Sequence, residues 1–372
     1  MPLVNAPPPN VQTHLLLRLL SQTGNGDVDW CSAVQSDWPA FADTCERHRV
    51  VSLAYCSLDA LPKHVVPVEL LARLRSRFYE ISLTNYRLAN KLIALTSRLE
   101  EQGIPVLAYK GPAVAVSVYG DLALRQFNDL DLVVRLEHLS KSVQVMASAG
   151  FRMLPEGRPE TRRVRTQFHH ATFQAPDQSH YVDLHWQLAG DLEQAFSPEI
   201  EKVWSRCETL QLPHGPVSTM CREDLFLALC YHGAKHRWGL LKWLVDVAEL
   251  LRGADRWDWS RIAEMTVNRP GAGASASLAM LLAHELLGAP IPAGSATTLA
   301  ATERVRHVAA AIREEILTNS RGKIEGHSHR TLLGLEERRA ARMKYRCIHA
   351  MRHPRWWCYQ VFRASHKDRT LV

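Results

Sequence analysis

The segment from Val106 to Val134 limits what this chain can fold into more than any other. It reads Val-Leu-Ala-Tyr-Lys-Gly-Pro112, passes through Arg125-Gln-Phe-Asn-Asp-Leu-Asp131 and ends in Leu132-Val-Val134. Pro105 to Tyr109 has the pattern of a short apolar strand that stops at Lys110-Gly111. Pro112 then opens a helix, because its fixed φ is helical and its missing N–H would have no partner in a first turn. That helix runs to about Tyr119 and ends at Gly120-Asp121. A second strand, Asp129 to Val134, follows. Alternation along it puts Asp129 and Asp131 on one face, with Leu130 and Leu132 on the other. Two carboxylates on one face repel unless a cation lies between them. Hard divalent cations such as Mg²⁺ take carboxylate oxygens together with phosphates, so the pair reads as a metal platform. The apolar Leu132-Val-Val134 argues that at least one acid is buried, and a buried carboxylate without a cation is costly. A solvated strand end is the plain alternative. Glycosyltransferases that use nucleotide-sugars carry D-x-D strands too, so the pair alone leaves that chemistry open.

The flanking pattern extends this picture. Residues 1–10 are Pro-rich and read as disordered, Val11–Ser21 as a helix, Gly24–Asp27 as a turn and Trp38–His48 as another helix. From about Glu69 to Gln102, Leu70, Leu74, Phe78, Ile81, Leu88, Leu92 and Leu95 keep helical spacing, and Gly103 supplies the stop. After the paired-Asp strand, Glu137–Ala149 is amphipathic and Phe151–Leu154 extended. Pro155–Arg165 is a polar loop. His169–Ala175 and His180–Trp186 form a predicted hairpin about the turn Pro176–Ser179. Within it, apolar Val182 and Leu184 leave Asp183 on the opposite face with Tyr181 and His185. Strand, helix, strand, helix in succession argues an α/β core. From Asp191 onward the pattern reads as helical, with strong segments at Arg222–His236 and Leu240–Arg252 and further helices at Trp257–Thr266 and Ser277–Leu287.

Lys110-Gly111, a helix, Tyr119-Gly-Asp121, then Arg125-x-x-x-Asp129-x-Asp131 resembles the nucleotidyltransferases that share the DNA polymerase beta fold. More narrowly it is similar to an uncharacterised bacterial branch whose strand–turn reads Leu-Lys-Gly rather than Gly-Ser. The resemblance runs from about Phe78 to Leu251. It implies an α/β (α+β) class: a mixed-sheet core flanked by N-terminal helices and a C-terminal helical bundle. It also implies a Mg²⁺-dependent transfer of NMP, AMP for preference, from an NTP to an acceptor hydroxyl, with pyrophosphate released. Asp129, Asp131 and Asp183 would be catalytic and would hold two metals. Lys110, Gly111, Arg125 and His185 would bind the nucleotide. Glycine permits close backbone approach and the helix start points its positive end at phosphate. Two departures stand out: the serine after glycine is absent, and the interval from Gly111 to Asp129 is longer than in compact members. Arg125 has a second reading as an ion-pair partner of Asp121 or Asp129. Asp183 has one as a strand-edge acid paired with an arginine. A nucleotide-binding module without turnover, such as an antitoxin-like partner, is the alternative at the level of the whole protein; pyrophosphate release separates it from an enzyme.

The expected divisions are 1–66 as N-terminal helical segment, 67–190 as nucleotidyltransferase core, 191–300 as helical lobe and 301–372 as basic tail. Charge supports the last boundary. Residues 301–372 hold 16 Lys and Arg against 7 Asp and Glu, leaving 29 against 31 in residues 1–300. The run Arg338, Arg339, Arg342, Lys344, Arg346, Arg352, Arg355 with Trp356-Trp357 reads as a solvated amphipathic helix, with nucleic acid or an anionic membrane as the other partners it would suit. His232 and His236 have metal-ligand spacing, but Gly233 replaces the glutamate of H-E-x-x-H, and packed histidines are the preferred reading. Eight scattered cysteines without a C-x-x-C pair point to reduced thiols and a cytoplasmic location. No signal-like start and no apolar run of membrane-spanning length is found.

Overall fold

A computed structural model of the chain describes residues 11–21, 37–62, 65–154, 169–190, 193–253, 257–295, 299–318 and 328–335. The Pro-rich start, the turn at Gly24–Asp27, the loop Pro155–Arg165 and the basic run from Arg338 lie outside these residues.

Three helices come first, α1 (Val11–Leu20), α2 (Trp38–His48) and α3 (Val51–Asp59). Asp37 caps α2 by accepting the Ala40 N–H at 3.0 Å, and Arg49 ends it in the left-handed region at φ 57°. The long helix α4 (Val68–Glu101) has 34 residues, which makes it about 51 Å long. Its first half buries Leu70, Leu74 and Ile81 among helices, whereas Leu88, Leu92, Leu95 and Leu99 of its second half lie against the sheet. One helix therefore joins two hydrophobic cores. Glycine at φ +69° (Gly103) turns the chain into β1 (Val106–Ala108).

From there the chain runs through α5 (Pro112–Tyr119), β2 (Asp129–Val134), α6 (Leu139–Ser148), β3 (Arg152–Leu154), β4 (His170–Gln174) and β5 (Tyr181–His185). After α7 (Ile200–Ser205) come β6 (Glu208–Leu212) and β7 (Gly215–Thr219). The seven strands form one mixed sheet in the order β3-β4-β5-β2-β1-β7-β6. β1 runs antiparallel to β2 and parallel to β7, while β2 runs parallel to β5. The remaining helices are α8 (Arg222–Lys235), α9 (Leu241–Arg252), α10 (Trp259–Val267), α11 (Pro270–Leu287), α12 (Glu303–Thr318) and α13 (Ser328–Leu335).

Alternation sorts the sheet residues between the two cores. Leu130, Leu132, Val134, Val182 and Leu184 face α4 and α6, while Leu107 and Val133 join the helical core. The second face is the one that carries the acids.

Two expectations need correction. Residues 191–300 are not helical throughout: β6 and β7 extend the sheet beyond β1, and Thr219 Oγ1 donates to the Ala108 carbonyl at 2.7 Å. Their signal was a short alternation, Thr-Leu-Gln-Leu212, followed by the turn Pro213-His214 that pairs Leu212 with Gly215. Nor do the described residues after 301 stand apart from the core. Val305, Ala309, Ile312 and Ile316 of α12, with Leu332 and Leu335 of α13, are buried in the helical core. Helix α3 was not foreseen either; no side chain caps its start.

Candidate active site

The site begins with register. In the parallel β2–β5 pair, Asp131 lies opposite Asp183, Asp129 opposite Tyr181 and Val133 opposite His185. Directly opposed residues share a face, so Asp129, Asp131, Asp183 and His185 emerge on the face turned toward the helical core. One ligand atom each from Asp131, Asp183 and His185 lie within 4.8 Å of one another, a group that could hold a metal ion.

Asp131 is 6% exposed and its Oδ1 accepts from two groups, Lys110 Nζ at 3.2 Å and His185 Nε2 at 3.0 Å. Burial by itself pushes this carboxyl up, but the Lys110 charge and the His185 hydrogen bond outweigh it and hold the group well below the usual carboxylate range. Lys110 shows the mirror effect: burial opposes its charge, and Asp131 more than restores it, so its ammonium is held above the ordinary lysine value. The ammonium also sits 4.4 Å from the centroid of the Tyr109 ring. Asp183 is the opposite case. Burial pushes its carboxyl up, Thr172 Oγ1 donates to its Oδ1 at 2.6 Å and pulls the other way, and the Asp131 charge adds to the rise. Asp129 is half-buried and accepts no hydrogen bond from the described residues.

Gly111 occupies φ 53°, ψ −123°, a region that only glycine enters cheaply. A Cβ there would stand 3.3 Å from the Asp129 carbonyl oxygen. The Lys-Gly turn is thus pressed against the start of β2, which brings Lys110 to Asp131 across 21 residues of sequence.

Arg125 departs from both readings made of it. Its Nε and Nη2 donate to the two carboxylate oxygens of Asp246, at 2.8 and 2.9 Å, with the guanidinium 4% and the carboxylate 0% exposed. Tyr119 Oη donates to the same carboxylate at 2.7 Å. The arginine joins the turn before β2 to α9. Sequence reasoning placed Asp246 in the helical lobe without seeing that it completes this network. Their separation of 121 residues gave no local signal.

Two further histidines escaped notice. His170 is the register partner of His185 across β4–β5, and the two rings stack at 5.0 Å. His169 precedes it, and one nitrogen each of His169, His170 and His185 lie within 4.8 Å of one another. Burial pushes the His169 and His170 imidazoles down, to about 2 and about 3. The adjacent His169-His170, at the open end of the predicted hairpin beside His185, was the available signal. His232 and His236 pack on each other and on Trp243, with ring centroids 4.7 to 5.1 Å apart.

A cavity of about 360 Å³, lined by Arg77, Glu80, Thr84, Arg87, Gln126 and Asn128, lies between α4 and the residues leading into β2.

The family model described as uncharacterised nucleotidyltransferase matches residues 35–288. The chain belongs to that family. By that membership this chain is a transferase of the nucleotidyltransferase class. Among solved structures, it is similar to the solution structure of the antibiotic-resistance factor ANT(2'')-Ia, at 17% identity and a TM-score of 0.30, over 63% of this chain and 94% of that one. It is also similar to an antigenic nucleotidyltransferase-like protein from Paracoccidioides brasiliensis, at 14% identity and a TM-score of 0.31, over 56% and 94%. Scores this low carry no argument about the site. No curated protein matches the chain. Among the described residues, no helix is long and apolar enough to cross a membrane.

Proposed function

We propose that this nucleotidyltransferase moves NMP, AMP for preference, from an NTP to an acceptor hydroxyl and releases pyrophosphate. The observation that carries the reading is the register that sets Asp131 opposite Asp183, with Asp129 two residues earlier on the same face.

Nucleotidyltransferases use divalent metal, and these residues fit one. Among the described residues, Asp131 spends only Oδ1 on protein partners and Asp183 only its Oδ1, while the Asp129 carboxylate accepts no hydrogen bond. Asp129, Asp131 and Asp183 would hold Mg²⁺, which when bound supplies charge neutralisation of the triphosphate and alignment of its α-phosphate. Asp183 receives the acceptor proton at Oδ2 while the Thr172 hydroxyl fixes the carboxylate through Oδ1. Its burial, which raises its proton affinity, suits a general base. Lys110, held beside Asp131, offsets charge on the departing pyrophosphate, and Gly111 lets the backbone approach the phosphates because it has no Cβ. His185 orients Asp131. Arg125, whose Nε and Nη2 are spent on Asp246, fixes α9 behind the sheet. The cavity beside α4 offers arginines and amides to the acceptor. The unpaired thiols among the described residues accord with a cytoplasmic location.

The test is transfer from an NTP labelled at the α-phosphate, screened against small hydroxyl compounds and peptides in Mg²⁺. Label appearing on an acceptor with matching pyrophosphate supports the reading. NTP binding without either product points to a module that does not turn over.

A further inference from the structure

Beyond the carboxylate site, we infer that His169, His170 and His185 form a binding site for one borderline transition cation of the Zn²⁺, Co²⁺ or Ni²⁺ class. The three imidazoles each offer a nitrogen within 4.8 Å of the others. Ligand nitrogens about 2.0–2.1 Å from a tetrahedral ion stand about 3.4 Å apart, so modest ring rotations complete the cluster.

Two observations raise this above a chance gathering of histidines. The first is the polar accounting. His185 is 5% exposed and His170 half-buried, yet the Nδ1 atoms of both are buried and have no hydrogen-bond partner among the described residues. Two such atoms in stacked rings leave two ring nitrogens unspent side by side, where one ligand can meet both. The second is the carboxylate behind His185. Its Nε2 meets Asp131 Oδ1 at 3.0 Å, and a carboxylate can only accept, so Nε2 carries the proton and Nδ1 keeps its lone pair. A histidine that donates one ring N–H to a carboxylate and offers the other nitrogen is the usual outer arrangement of a metal-ligating imidazole. The backbone supports the same geometry. His170 is locked opposite His185 by strand register, and the His169 carbonyl accepts the Trp186 N–H at 3.0 Å.

Ligand type separates this site from the proposed Mg²⁺ site. Imidazoles suit Zn²⁺, Co²⁺ and Ni²⁺, whereas Mg²⁺ prefers oxygen. No fourth His, Cys or carboxylate of the described residues joins all three nitrogens, which leaves a coordination position for water or a substrate donor. Because Asp131 touches both sites, it acts on this one as a positioning residue.

The experiment titrates Co²⁺ into the chelator-treated full chain, without nucleotide, and follows d–d absorption and stoichiometry. One equivalent per chain with nitrogen-type bands is expected, undiminished by excess Mg²⁺. His170→Ala and His169→Ala should each weaken Co²⁺ binding at least 10-fold, with far-ultraviolet circular dichroism unchanged. Asp131→Asn should weaken it about 10- to 100-fold. Absence of Co²⁺ binding in the folded chain would overturn the site, as would binding unaffected in the His169→Ala/His170→Ala double variant. Displacement of Co²⁺ by Mg²⁺ would overturn it too, by placing the ion on the carboxylates. The readout needs no transfer, so a chain that binds Co²⁺ but moves no label refutes the function above and leaves this site standing.

Discussion

At the scale of single residues, the three acids differ in what surrounds them, and this makes them separable. The Asp129 carboxylate accepts no hydrogen bond from the described residues, so Asp129→Asn should abolish transfer in Mg²⁺ while leaving the thermal midpoint nearly unmoved. Asp131 is buried between Lys110 and His185. Asp131→Asn should abolish transfer and also cost about 1–3 kcal/mol of stability, since it leaves a buried ammonium without its counter-charge. A paired measurement of rate and melting on the two variants checks this; equal losses of stability would contradict the difference in environment. For Asp183, the proposed base, Asp183→Asn should slow the chemical step by about 10²–10⁴-fold with a smaller effect on NTP affinity, read in single turnover. The alternation Asp-Leu-Asp and Val-Asp-Leu-His made these side chains legible, because side-chain parity in a strand is a local property. The partner of Arg125 was not legible. Asp246 lies on a different element, and nothing in the spacing distinguishes a guanidinium bound to phosphate from one bound to a distant carboxylate.

At the scale of elements, the contacts that matter join pieces far apart in sequence. Arg125, Tyr119 and Asp246 fasten α9 to the turn before β2. Removing one partner of a buried ion pair typically costs about 3–5 kcal/mol. Asp246→Ala should therefore lower the denaturation midpoint by that order, while NTP affinity of the folded fraction changes little; a variant as stable as wild type would remove the clamp. A second junction titrates. His48, at the end of α2, accepts the Leu241 N–H at the start of α9 at 3.3 Å, and burial followed by the neighbouring Arg47 charge lowers its imidazole to about 4. The unfolded chain binds a proton at about 6.5, so between these values the unfolded state holds more protons and stability rises with pH. It is present above pH about 6.5 and is lost as pH falls toward 4, by about 2–4 kcal/mol from this group. In His48→Gln the slope of stability against pH should flatten over that window; an unchanged slope would assign the acid sensitivity to other histidines. Helix periodicity and stop signals had disclosed α2, α4, α8 and α9. The β6–β7 hairpin escaped because five-residue strands beside a helical run give too little alternation to outweigh it.

At the scale of the whole molecule, α4 links a sheet core to a helical core, and the acids sit on the sheet face between them. Both layers were visible in sequence as apolar periodicity, whereas the boundary at 301 followed charge, which reports surface rather than core. Leu332 and Leu335 of α13 are 0% and 1% exposed, and Arg237 Nη1 donates to Thr331 Oγ1 at 3.1 Å. Truncation after Ser320 removes both leucines, worth about 3–6 kcal/mol of burial together, and should lower the melting temperature clearly. A truncated chain as stable as the full one would show that α13 contributes nothing to the core. All of this supports a single claim, that the strand pair β2–β5 presents a carboxylate set for nucleotidyl transfer. The most direct measurement is label transfer from α-labelled NTP in Mg²⁺ by the wild-type chain and by folded Asp129→Asn, side by side. The account predicts acceptor labelling with one pyrophosphate per event in the wild type and none in the variant; equal labelling by both would contradict it.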